Sequence, residues 1–546
     1  VYSSNPARYM GCLNNPGWRA HLKQTIDEAI LYGPAALFYD NCFVPMQTVG
    51  PRDEASAAEW ACYCDTCRDL FKSYTKKTLG RAYDLPTIPD WHDAVWQAFI
   101  KFRDKSIVDV LDMITKHAHS LDPDILVYPN VCPPYQGGGG AKGSATKEIA
   151  KVVDLLLFEK GGSPALATPP QGGMPRPSTI AVDYKYGASL KTSPIWYRLN
   201  KRSDTYTAQQ IQLGMAEASA FNGANHHVMA HHHSRNPDKA ESVRRYYTFL
   251  KNNSECYTGV RQVADVAVLA STPTAHWYYP DRVRQGHALP QDIRGMGQVL
   301  VEMHIPFNIV TEDDLATGLK DYRALVIPNA ACMSYEHVAS VSKFVERGGG
   351  LVTTGISSLY DEDYQLRKDF GLSEILGVHH GQQQNDPVKN SFGSGLSVYI
   401  PGTPEQDFWD FGSPESASLI EDALSHVLRG DWQIKVDAPH IVVLNVAEKI
   451  TSGVTLLHLV NFDLWLTENQ LHTTTTPSSK SSRFTRRVEG ITVKLRKPLG
   501  KSMSKITLVS PDFDDAPTLE PKETSEHLSF MIPILKVYNV IEIKWH

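Results

Sequence analysis

The residues of this chain best placed to do chemistry are two lone carboxylates, each closing an uncharged apolar run. Asp40 ends Ala35-Ala36-Leu37-Phe38-Tyr39, and Glu159 ends Leu155-Leu156-Leu157-Phe158. A short apolar run that stops at its first charge reads as a buried parallel strand emerging at the carboxyl edge of a sheet. In α/β barrels the catalytic groups stand at that edge. Two carboxyl groups there suit glycoside hydrolysis: one, ionised, attacks the sugar or activates water, and the other protonates the leaving oxygen. One such acid alone could equally cap a helix or pair with a cation; the pair is what points to catalysis.

Two further groups carry potential chemistry. Cys62, Cys64 and Cys67 form C-x-C-x-x-C. Three thiols that close together suit a tetrahedral zinc site, with the fourth ligand from elsewhere: Cys42 is nearest in sequence, with Cys12 and Cys132 behind it. The competing reading is a set of reduced, unliganded thiols on a helix. The histidines His226, His227 and His231 to His233 form the second group. On a strand, His226 and His227 point to opposite faces, so one of them can look into a barrel. Sugar-hydroxyl binding, structural histidines and a catalytic metal all remain open for this group. Asn15, Trp18, Asn41, Asn130 and Arg198 complete the candidate substrate-binding set, each with a cap or core role as its alternative.

These residues need elements to hold them. Over 1–259 the chain alternates strand and helix, with predicted strands at Tyr9–Leu13, up to Asp40, Ile125–Asn130, up to Glu159, Pro194–Asn200 and about 225–230. Helices are predicted at Trp18–Tyr32 and about Asp93–His119, and the Cys-containing stretch of about 43–92 is an insertion. Repeated βα units imply a parallel sheet, and functional residues at successive strand ends favour a (β/α) barrel. About six strands are legible where a full barrel has eight, so the opening strands are expected to be absent. A second βαβ series over 260–435, with the Gly348-Gly349-Gly350 re-entry, predicts a flavodoxin-like α/β domain. From 436 to 546 short alternating strands predict a β-sandwich.

Composition narrows the function classes. Of 546 residues 42% are hydrophobic and 21% charged, with a formal net charge of −6, which gives no electrostatic case for nucleic acid. No apolar run approaches the ~20 residues needed to cross a bilayer. Eight Cys in so long a chain are too sparse for a disulfide scaffold. The opening residues, Val1-Tyr2-Ser3-Ser4-Asn5-Pro6, have neither the charged nor the apolar region of a signal peptide, and no initiator Met. The chain is therefore expected to start at a processing site or within a longer protein, and its compartment is not readable. No organic cofactor is expected.

The motifs Asn15-Pro16-Gly17-Trp18, Phe38-Tyr39-Asp40-Asn41 and Cys62/Cys64/Cys67 resemble those of hypothetical bacterial glycosyl hydrolases. The stretch from Val266-Ala267-Val268-Leu269 through Arg323–Asn329 to Arg347–Val352 resembles the beta-galactosidase trimerisation domain, related to class I amidotransferases. Together they imply a TIM-type barrel, an amidotransferase-like domain and a β-sandwich, a carbohydrate substrate, and self-association, most simply as a trimer. Family 42 beta-galactosidases use two Glu residues, after the fourth and seventh strands. The corresponding ends here carry Asp40-Asn41 and Arg198-Leu199-Asn200. An Asp ending the fourth strand instead resembles alpha-fucosidase-type and alpha-galactosidase-type barrels, where it is the nucleophile. The resulting expectation is a retaining glycosidase with Asp40 as nucleophile and Glu159 as acid/base. A non-catalytic carbohydrate-binding or assembly protein and a His-metal hydrolase are the alternatives. Cys332 is a weak candidate nucleophile, because Asn329-Ala330-Ala331-Cys332-Met333 lacks the G-x-C-x-G elbow.

Overall fold

The computed structural model describes residues 11–40, 62–135, 145–161, 176–190, 194–198, 208–222, 224–227, 237–465 and 484–546. Five parallel strands open the fold: β1 (Ala36–Tyr39), β2 (Leu126–Val131), β3 (Leu156–Gly161), β4 (Pro194–Arg198) and β5 (Ala224–His227). They lie side by side in chain order, with helices between them, as an arc of a TIM-type barrel. Leu156, Leu157 and Phe158 are all buried, which explains why β3 reads as an unbroken apolar run rather than an alternation.

Residues 11–13 are not a strand, contrary to expectation. The Asn15 amide donates to the Cys12 carbonyl at 3.0 Å, closing a turn, and the Trp18 indole lies directly against Gly11, where a Cβ would collide with it. The turn leads into helix α1 (Pro16–Ile30), with Asn15 as N-cap and Pro16 in the first turn. Helix α2 (Asp65–Thr78) comes from the Cys insertion and packs on the long helix α3 (Ala94–Leu121). Asp93 caps α3, accepting from the Trp96 amide at 2.8 Å. Below the cap α3 buries Trp96, Phe99, Phe102, Ile107, Val110, Leu111 and Ile114. Full burial of each such side chain is worth roughly 1.5–3 kcal/mol, so α3 anchors this half of the molecule.

The middle domain is a six-stranded sheet. Its five parallel strands run in the order Gly395–Ile400, Gly350–Thr354, Ala324–Ile327, Val266–Leu269, Phe307–Val310, and the antiparallel Val388–Phe392 borders the first of these. Trp277 from this domain joins Phe71 of α2 and Trp91, Trp96 and Phe99 of the α3 region in one aromatic cluster, which also contains Cys67 and Cys332. The C-terminal region is an antiparallel sandwich of a four-stranded and a five-stranded sheet. Its strand Thr455–Asn461 is buried on both faces because the barrel helix Ala208–Ala220 packs on its outer side. Val260–Gln262 adds an edge strand to the same sheet, pairing with Ala447–Lys449. The buried Lys185 ties the junction together, donating to Asn445 Oδ1 at 2.9 Å and Gln262 Oε1 at 2.8 Å. Among the described residues no helix is long and apolar enough to cross a membrane.

Candidate functional site

The barrel strands are parallel, so their carboxyl ends share one edge. Asp40 follows β1 directly and is exposed. The pairings Tyr39↔Pro129 and Asn130↔Leu157 put Asp40, Asn130 and Leu157 at one level, and the backbone of Glu159 two residues further along β3. Arg198 pairs with Gly161 on one side and His227 on the other. The backbone positions of Asp40, Asn130, Glu159, Arg198 and His227 therefore run along one edge. Asn41, Cys42 and His231 lie outside the described residues, as do the side chains of Glu159, Arg198, His226 and His227.

The best-defined contact at this edge joins Asp40 and Asn130. Asn130 is buried in β2, and its Nδ2 donates to Asp40 Oδ1 at 2.7 Å. A buried amide has few rotamers open to it, so it fixes the orientation of the Asp40 carboxylate. Phe38 and Tyr128 stack two residues below on the neighbouring strands, with ring centroids 5.1 Å apart.

Helix α1 runs antiparallel to the strand that follows it, which brings its N-terminal turn to this same end of the sheet. Asn15 is there, but its Oδ1 accepts from the Trp18 amide at 3.1 Å: its side chain caps the helix. Trp18 is half-buried over Gly11 and packs against His21 at 5.3 Å. The unforeseen member of this turn is Asn14, whose Nδ2 donates to Ser106 Oγ at 3.0 Å and to Cys67 Sγ at 3.5 Å.

That contact leads to the thiols. Cys12, Cys62, Cys64 and Cys67 bring their sulfurs within 4.8 Å of one another and could hold a metal ion. Among the described residues Cys12 is the fourth thiol of this group; Cys42 lies outside them. Cys12 Sγ lies 3.4 Å from Cys67 Sγ and 3.7 Å from Cys64 Sγ. Four thiolates bound at ~2.3 Å around a tetrahedral ion would stand just under 4 Å apart, so the donor set and its spacing fit. Hydrogen bonds from Cys12 and Cys67 push the Cys62 thiol down, the contact with Cys62 pushes Cys12 up, and contacts with Cys12 and Cys62 push Cys67 up. Cys12 enters from the turn before α1 and the other three from the segment after Asp40, so the cluster staples together two loops of the barrel edge. Cys332, by contrast, is sealed in the aromatic cluster and burial pushes its thiol up, the opposite of an activated nucleophile.

Comparison with known proteins agrees with this architecture. Residues 264–385 match the model of the beta-galactosidase trimerisation domain. Beta-galactosidase GalA of Bacillus licheniformis is 24% identical over 361 residues, covering 55% of this chain and 51% of the relative. The chain thus spans about half the length of that curated relative. Among solved structures, alpha-L-fucosidase isoenzyme 2 from Paenibacillus thiaminolyticus superposes with a TM-score of 0.64 at 14% identity, covering 100% of this chain and 82% of that one. The beta-galactosidase from Bacillus circulans sp. alkalophilus gives 0.63 at 14% identity, covering 98% and 84%. Residues 264–385 are therefore similar to a beta-galactosidase trimerisation domain, and the chain shares the three-part fold of these solved structures: TIM-type barrel, α/β domain and β-sandwich.

Proposed function

We propose that this chain is a glycoside hydrolase acting by retention, with Asp40 as nucleophile and Glu159 as general acid/base. The observation that carries the reading is Asp40 itself: a carboxylate at the carboxyl end of a barrel strand, exposed, with one oxygen held at 2.7 Å by the buried Asn130 amide. An N–H donor favours the ionised form, which is the form a nucleophile needs. In the proposed first step, an oxygen of Asp40 attacks the anomeric carbon as the glycosidic bond breaks, and Glu159 protonates the departing oxygen. In the second, Glu159 takes a proton from water as its oxygen attacks the anomeric carbon, breaking the bond to Asp40 and releasing the sugar. Arg198, the strand-five histidines and Trp18 are proposed to line the sugar subsites.

An Asp-Asn pair at this strand end separates the chain from glycosidases that use Glu there, so its glycone is proposed to differ from that of the beta-galactosidases it resembles. The test is turnover of a panel of aryl α- and β-glycosides, including fucosides and galactosides, by wild type, Asp40→Asn and Glu159→Gln. Full activity in both variants removes the assignment. No turnover of any glycoside, with sugar binding retained, moves the reading to a carbohydrate-binding protein. In a ligand-bound crystal structure, carboxyl groups roughly 5 to 5.5 Å apart support retention, and roughly 6.5 to 9.5 Å support inversion.

The four-thiol group is proposed to hold a structural zinc, which would fix the two loops and take no part in bond cleavage. Metal analysis of the purified protein, expected to give one zinc per chain, tests this. The trimerisation-like domain supports a homotrimer; a monomer at micromolar concentration in light scattering removes that part of the proposal.

A further inference from the structure

We propose that the middle domain carries a second, non-catalytic groove for an acidic oligosaccharide, one bearing sulfate esters or carboxylates. The groove measures about 790 Å³. It lies between residues 315–323, the C-terminal end of the helix Tyr335–Glu346 and the turn after the helix Pro414–Val427. This is the amino edge of the middle sheet, where Ala324 and Gly350 begin their strands, away from the edge that packs on α3.

Every charged side chain lining the groove is a cation: Lys320, Arg323, Lys343, Arg347 and Arg429. Arg323 is neutralised by Asp265 at 3.1 Å and Asp431 at 3.0 Å. Among the described residues the other four have no carboxylate within ion-pair distance, and Arg429 donates to the Ser394 carbonyl at 3.2 Å. The cluster runs against the net charge of −6 carried by the whole chain. Helix ends explain only part of it. The C-terminus of the helix Tyr335–Glu346 presents about half a negative charge, which a single cation offsets. Its last carbonyls already accept from the Arg347, Gly348 and Gly349 amides.

The half-buried rings of Tyr322 and Phe344 lie among these cations and offer the apolar surface that a pyranose face covers. Cations interleaved with rings could also take a single-stranded nucleic acid. The acidic body around the groove repels a long polyanion, however, and a short acidic glycan avoids that field. Choosing a saccharide rests on the glycosidase reading; the charge complementarity does not.

Isothermal titration tests the groove with four probes: a sulfated galactotetraose, tetragalacturonate, neutral galactotetraose and a 12-nucleotide DNA strand. The full-length wild type and the double variant Lys343→Gln/Arg347→Gln are compared. The expected result is binding of one or both acidic saccharides, with the sulfate and carboxylate arms separating the two sources of charge, and no binding of the neutral probe to the double variant. The double variant should bind the acidic probe about tenfold more weakly while turning over small aryl glycosides at the wild-type rate. The proposal is overturned if neither acidic saccharide binds or if DNA binds as tightly. It is also overturned if the double variant changes oligomeric state in light scattering, since the groove is then a subunit contact. Acidic-saccharide binding without turnover of any glycoside would uphold the groove and remove the glycosidase reading; the reverse pattern would do the opposite.

Discussion

Two parallel sheets in this molecule carry acids at their carboxyl edges, and they treat those acids in opposite ways. At the barrel edge Asp40 is exposed and accepts from the Asn130 amide. At the middle-domain edge, Asp292 and Glu405 are almost completely buried. The Asn329 amide, just beyond the strand Ala324–Ile327, donates to Asp292 at 3.1 Å, and Thr354, ending its own strand, donates to Glu405 at 2.5 Å. The two helices that bear these acids press together so closely that a Cβ on Gly295 would strike the Glu405 carbonyl. Burial pushes Asp292 up to about 7 and Glu405 well above the usual carboxylate range, with Asp292 adding repulsion. A strand-end carboxylate is thus a site only where solvent and substrate can reach it. The same topology that leaves an acid exposed at the barrel edge buries a pair of acids in the middle domain.

The contrast is sharpest in mutation. Asp40→Asn should lower kcat on aryl glycosides by about 10³-fold or more, near 4 kcal/mol in the barrier, whereas Glu405→Gln should leave kcat within about twofold. Steady-state rates on matched protein would show this, and equal losses in both variants would erase the distinction. Next in size is the thiol staple. Cys12→Ser should release the bound metal and cost about 3 kcal/mol of stability, read by metal analysis and denaturant unfolding. Cys256→Ser, outside the cluster, should keep the metal.

The middle-domain pair makes a pH prediction of definite sign. Asp292 binds its proton more tightly folded than unfolded, because burial raises it from 3.8 to about 7. Its contribution is complete below about pH 4 and is lost as pH rises toward 7. Unfolding midpoints should therefore fall over that interval, and Glu405→Gln should flatten the decline and gain about 1–2 kcal/mol at pH 8. A steeper decline in the variant would contradict this account. Smallest is Asn130→Ala, expected to slow turnover about tenfold by removing the amide that orients Asp40, and to cost about 1 kcal/mol in denaturant unfolding.

Much of this arrangement was legible in the sequence, for identifiable reasons. The run ending at Glu159 could be placed because its strand is buried and uniformly apolar; the strand before Asp40 is only half-buried, with Phe38 exposed, yet there too the first charge marks the edge. The caps Asn15 and Asp93 sit at helix starts, where short polar side chains are expected. Asn15 nevertheless shows the limit: a polar residue at a barrel rim looks the same whether it meets sugar or its own helix, and here its oxygen is occupied by the Trp18 amide. Residues 11–13 do not form a strand because they serve a turn, a ring contact and the thiol cluster rather than a ladder. Cys12 is 50 residues from Cys62 in the chain, so spacing could not rank it above Cys42. Only the docking of the α1 turn against the insertion brings it in. Asp292 and Glu405 carried no signal, since a buried carboxylate at a helix start has the same sequence pattern as an exposed one.

The edge strand Val260–Gln262 bears on how this chain is assembled as it is made. It is synthesised ahead of the whole middle domain, yet its hydrogen-bonding partner, Ala447–Lys449, follows that domain. Topologically the middle domain is an insert in a sandwich whose first piece is already translated. The sandwich cannot close until about 180 further residues have emerged, a separation read from the two paired segments. A fragment beginning near 436 would leave the Val442–Lys449 strand without a neighbour on that side, an open edge of the kind that recruits other chains. Any attempt to isolate the C-terminal unit should therefore splice residues 260–262 back onto it.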